Sequence, residues 1–75
     1  MFAGPLEQAE RRNAISAALG ELPDEQREVV VMKIWGRLSF PQIAEALEIS
    51  PNTAASRYRY ALAKLREQLA GEPIT

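Results

Sequence analysis

The chain has 75 residues, 47% hydrophobic and 25% charged, an ordinary balance that predicts one small folded domain near the lower size limit for a stable core. It contains no cysteine and no histidine, which excludes a disulfide framework, the usual zinc ligands, the thiol nucleophile and the commonest catalytic base. The net charge of −1 argues on its face against a nucleic-acid partner, yet the charge is sorted: residues 1–50 balance at −3 and residues 51–70 at +3.

No metal, cofactor or small-molecule substrate is therefore expected, and an enzyme is the least favoured class: there is no nucleophile–base pair, phosphate loop or metal-ligand spacing. No apolar run approaches the roughly 20 residues needed to span a bilayer, and the N-terminus lacks a signal-like apolar segment, so the expectation is a cytoplasmic protein without membrane contact.

Gly4-Pro5 closes a leader over 1–5. From Leu6 the pattern Leu6, Ala9, Ile15, Ala18, Leu19, Leu22 is loosely helical and predicts a first helix over about 6–19, with Gly20 as its stop and Glu7, Glu10, Arg11 and Arg12 as a solvated face. Leu22-Pro23-Asp24-Glu25 is a stronger start signal, because proline is preorganised for a first helical turn and two acids complement the positive end of the helix dipole. That second helix is expected to reach about Trp35, with Gly36 in the left-handed position just beyond it. Val29, Val30, Met32 and Ile34 are more apolar than one stripe requires, which predicts contact on more than one side, with the first helix and with the C-terminal reader unit. Trp35 reads as a core or lid residue.

Ser39 is a good N-cap for a short third helix from Phe40 to about Leu47, with Pro41 in its first turn and Gln42 at the capping-box position. Glu48-Ile49-Ser50 forms the turn, and Ser50-Pro51 repeats the cap-then-proline start for a fourth helix over about 51–69. The fold class is thus all-α: a four-helix domain over 6–70 containing a helix-turn-helix reader unit over 39–69, followed by a tail over 71–75.

At 100° per residue, Ala54, Tyr58, Ala61, Leu65 and Leu69 share one face of the fourth helix, while Asn52, Ala55, Ser56, Arg59, Ala63 and Arg66 share the opposite one. The outward face suits a major groove. Asn52 and Ser56 can hydrogen-bond base edges, Arg59 can pair bidentately with guanine, and Ala55 permits close approach or touches a thymine methyl. Ser50, the N-terminal amides of the helix, Arg57 and Lys64 are candidates for holding phosphates. The blander reading makes Ser50 and Asn52 capping residues and Lys64 and Arg66 a solvated face. Tyr58 falls on the core face, and Tyr60 at its edge is expected to be half-buried.

The residues Leu22-Pro23 with Arg27 and Val29, then Leu38-Ser39-Phe40 leading into Ile43-Ala44 and Leu47, then Ile49-Ser50-Pro51, Thr53, Ser56-Arg57, Ala61 and Leu65-Arg66 carry a family likeness. Their order and spacing resemble the C-terminal promoter-recognition domain of bacterial RNA polymerase sigma factors, most closely the extracytoplasmic-function group, across about residues 6–69. The resemblance implies a four-helix domain that reads the minus-35 promoter element in double-stranded DNA while docked on the β flap of RNA polymerase core, with anti-sigma proteins as further partners. It places the positions of Ala55, Ser56, Arg59 and Tyr60 toward DNA bases and those of Ser39, Phe40, Ser50 and Thr53 near the phosphate backbone. The sequence departs from the family pattern at Ala55, Tyr60 and Leu62, where basic residues are common, and at Glu48, where glycine is usual. Each departure makes the DNA side less positive and implies weak, strongly salt-dependent binding in isolation. No stretch of these 75 residues resembles the N-terminal domain with which family members bind the polymerase clamp. The acidic N-terminal half, the apolar excess of the second helix and the lost basic positions support a competing class: a protein-interaction module that keeps the helix-turn-helix shape to dock on polymerase or an anti-sigma factor, with little or no DNA contact.

Overall fold

The computed structural model describes residues 4–70, which form four helices: α1 (Pro5–Gly20), α2 (Asp24–Ile34), α3 (Phe40–Leu47) and α4 (Pro51–Ala70). The expected tail over 71–75 and the first three residues of the expected leader lie outside the described residues. The element order matches the expected one, with boundaries shifted by at most one residue and those of α3 unchanged. Pro5 opens α1 instead of preceding it, since its fixed φ and missing N–H suit a first helical position.

The packing is organised around α4, which contacts each of the other three helices, while α2 also packs on α3. Two adjacent apolar clusters result. In one, Val29, Ile43 and Ala54 are fully buried, with Met32, Leu38, Phe40, Leu47, Ile49 and Tyr58 packed around them. In the other, Leu22, Val30 and Ala61 are buried beneath Leu19, Tyr58 and Leu65. Neighbouring valines of α2 thus serve different clusters, and Tyr58 of α4 touches both. Ala54 and Ala61, seven positions apart on one face of α4, are both fully buried. Their small side chains let α4 sit close against its partners.

α2 was expected to be contacted by the first helix as well as by the reader unit. It is, at the C-terminal end of α1, where Leu19 packs on the Val30 cluster and Arg27 bonds the Leu19 and Gly20 carbonyls, while α1 packs mainly on α4. The apolar excess of α2 is accordingly not all covered: Val31, Ile34 and Trp35 are 42%, 46% and 57% exposed. Trp35 is not a core residue, because at i+4 from Val31 it shares the helix face turned away from α4. Arg27 ties the α1–α2 junction, its guanidinium donating to the carbonyls of Leu19, Gly20 and Leu22 at 3.3–3.5 Å and to the Asp24 carboxylate. Leu19 and Gly20 lie in the last turn of α1, whose carbonyls have no partner within the helix.

The α2–α3 connection differs from expectation at one residue. Gly36 does not take the left-handed conformation; Arg37 does, with φ 56°. Glycine at 36 answers a different need, since a Cβ there would stand 2.6 Å from the Met32 carbonyl oxygen.

Candidate nucleic-acid interface

The α3–turn–α4 unit is held by local chemistry that the sequence already carries. Ser39 and Gln42 form the capping box: the Gln42 N–H donates to Ser39 Oγ at 3.2 Å and the Ser39 N–H donates to Gln42 Oε1 at 2.8 Å. α3 ends at Glu48 in left-handed backbone, φ 57° and ψ 45°, and the Ile49 N–H closes back on the Ala44 carbonyl at 3.0 Å. Ser50 caps α4 by accepting the Thr53 N–H at 3.0 Å, and its own hydroxyl donates to Thr53 Oγ1 at 2.9 Å. The register of α4 is set by burial of Ala54 and Ala61 and by the edge-on contact of Tyr58 with Phe40, ring centroids 5.5 Å apart.

With that face buried, Asn52, Arg59, Tyr60, Ala63 and Arg66 are exposed on α4, and Ala55 and Ser56 are half-buried beside them. Arg59 Nη2 donates to Ser56 Oγ at 3.2 Å, one turn apart, so the two polar side chains act as a pair. Tyr60 is 68% exposed and not half-buried as its angular position suggested, because α2 and α3 lie on the Tyr58 side and none of the described helices covers the Tyr60 side. Asn52, Ala55, Ser56, Arg59 and Tyr60 thus occupy one contiguous outer surface of α4.

The residues expected near phosphates are spread over two helix starts. Ser39 and Phe40 open α3, and Ser50 and Thr53 open α4 on the far side of α3 and the turn. The Phe40 ring packs in the core against Tyr58, so only its backbone is free to meet a phosphate. Arg57 is half-buried and its Nη2 lies 3.7 Å from Glu25 of α2, so a phosphate would have to take the place of that carboxylate. Lys64 is exposed, two turns beyond Arg57. The structure adds one cation the sequence reading did not place: Lys33, whose Nζ stands 4.7 Å from the centre of the Phe40 ring at the start of α3. No spacing in the sequence signals this pair, because the α2–α3 connection brings the two together.

The geometry defines a helix-turn-helix with a polar, basic outer face on its second helix. Residues 12–65 match the family model described as "Sigma-70, region 4", and the chain belongs to that family. Curated relatives are similar over most of it. An RNA polymerase sigma-E factor of Streptomyces coelicolor is 35% identical over 74 residues, covering 93% of this chain and 42% of that protein. The sigma-E factors of Streptomyces antibioticus and Streptomyces avermitilis are each 40% identical, over 63 and 68 residues. This chain spans only 35–42% of the length of these relatives.

Proposed function

We propose that this chain is the promoter-reading domain of a sigma-E-type initiation protein. α4 lies in the major groove of the minus-35 element, α3 crosses the backbone, and RNA polymerase core holds the domain on DNA through its β flap. The observation that carries this reading is the polarised α4: Ala54 and Ala61 fix its inner face, leaving Asn52, Ser56, Arg59 and Tyr60 on the outer face. Membership of the sigma-70 region 4 family supports it, as do relatives named as RNA polymerase sigma-E factors.

In this reading Asn52, Ala55, Ser56, Arg59 and Tyr60 meet base edges, while Ser39, Phe40, Ser50, Thr53, Arg57 and Lys64 meet phosphates. The Ser56–Arg59 hydrogen bond holds the guanidinium over the groove-facing side, which lowers the rotamer entropy lost on pairing with guanine. The cytoplasm is the compartment this function requires; among the described residues no helix is long and apolar enough to cross a membrane.

A titration of this chain against duplexes carrying candidate minus-35 elements and against scrambled duplexes tests the reading. Arg59→Ala should narrow the gap between specific and scrambled duplexes by about 1–3 kcal/mol, whereas Lys64→Ala should weaken all duplexes alike. Equal affinity of the parent chain for both sets at low salt would sink it.

One observation favours the second reading, a docking module for polymerase or an anti-sigma factor with little DNA contact: the exposed trio Val31, Ile34 and Trp35 on α2. Capture of polymerase core that survives joint Ser56→Ala and Arg59→Ala substitution but is lost with Trp35→Ala would support it.

A further inference from the structure

Two residues other than glycine adopt left-handed backbone among the described residues, and they bracket α3: Arg37 before it, with φ 56°, and Glu48 after it, with φ 57°. This conformation crowds Cβ against the backbone, and glycine is its natural occupant. The fold demands it at both places. At 48 it ends α3 as a left-handed cap, and at 37 it lets the Leu38 N–H reach the Met32 carbonyl at 3.1 Å. The chain fills both positions with long charged side chains where the backbone alone would favour none.

Arg37 is exposed, and among the described residues it has no hydrogen-bond or ion-pair partner. That sets it apart from Arg27, Arg57 and Arg59, which pair with Asp24, Glu25 and Ser56. It stands two residues before Ser39, the cap of α3, and the Lys33 ammonium over the Phe40 ring brings a second positive charge to the same junction. In helix-turn-helix docking the first helix of the motif crosses the sugar–phosphate backbone while the second enters the groove. α3 is that first helix, so the connection feeding its N-terminus arrives beside the phosphates.

We propose that Arg37 is a phosphate-binding residue of the DNA interface, carried on a left-handed turn that a glycine would fill with less strain. It adds backbone affinity and no base information. The inference rests on the promoter-reading function proposed above and extends its contact surface to the α2–α3 connection.

The test is fluorescence anisotropy with the 75-residue chain on two labelled 20-bp duplexes, one of random sequence and one carrying a minus-35 element, from 50 to 200 mM salt. Thermal melting of each variant is recorded alongside. Arg37→Gly should melt at or above the parent temperature yet bind both duplexes about five- to tenfold more weakly near 0.1 M salt, with the slope of log affinity against log salt shallower by about 0.9. Arg37→Lys should keep the parent slope. Glu48→Gly relieves the same backbone conformation with the opposite change of charge, and should bind no more weakly than the parent. Parental affinity and slope for Arg37→Gly would overturn the inference, as would equal weakening by Arg37→Gly and Glu48→Gly, which would trace the effect to backbone. No binding of the parent chain to either duplex would instead overturn the promoter reading, and this inference with it.

Discussion

α1 and the α3–turn–α4 unit are both helical, but they are held in different ways. In α3 and the first half of α4, local and tertiary signals coincide: Ser39 and Ser50 cap their helices, Glu48 closes the turn, and Ile43, Ala44 and Ala54 are buried. α1 has no side-chain cap at its start, its Leu6 is 74% exposed and Ile15 40%, and Ala18 is its one buried residue among those described. Its last turn is attached through buried Ala18, through Leu19 and through the Arg27 bonds to the carbonyls of Leu19 and Gly20. A reader must hold its side chains in one geometry to discriminate bases, and rigid capping and burial supply that. α1 carries no such demand and is built with fewer contacts.

This contrast can be broken most forcefully in the α2–α3–α4 cluster. Ile43→Ala removes a fully buried side chain where three helices meet and should destabilise by about 3 kcal/mol, read as a lower urea midpoint by circular dichroism. For a domain of this size that is a large share of the total, so DNA binding at 37 °C should fall with it. Ser39→Ala removes the hydroxyl half of the capping box, leaving the backbone N–H of residue 39 on Gln42 Oε1, and should cost about 1 kcal/mol in the same measurement, with hydrogen exchange quickening first at Gln42. The smallest effect belongs to α1: Ile15→Ala should change stability by less than about 0.5 kcal/mol, because its side chain already faces solvent in part. A cost near 3 kcal/mol at Ile15 would erase the distinction between the two regions.

Much of this was legible in the residues. The Ser-Phe-Pro-Gln start of α3, the Ser-Pro start of α4 and the Ala54/Tyr58/Ala61/Leu65 face are short-range patterns governed by backbone hydrogen bonding and helical period, which act within a few residues. The four-helix order and the outward set Asn52, Ser56 and Arg59 follow from them. The errors fell where distant segments decide. Trp35 reads as a core or lid residue and Tyr60 as half-buried at the edge of the core face, yet each stands on a helix face that the arrangement of the other helices leaves open.

The elements, their caps and the sorting of positive charge onto the last helix are written in the order of the residues, because those properties are local. Tertiary structure alone decided that α1 rests on α4, that Lys33 stacks on Phe40, that Arg57 faces Glu25, and that the left-handed residue before α3 is Arg37 and not Gly36. The first three depend on how close two segments come in space, the last on the path of the chain at the end of α2. At Gly36, for example, the Met32 carbonyl 2.6 Å from a would-be Cβ is what demands glycine, and no spacing along the chain announces it.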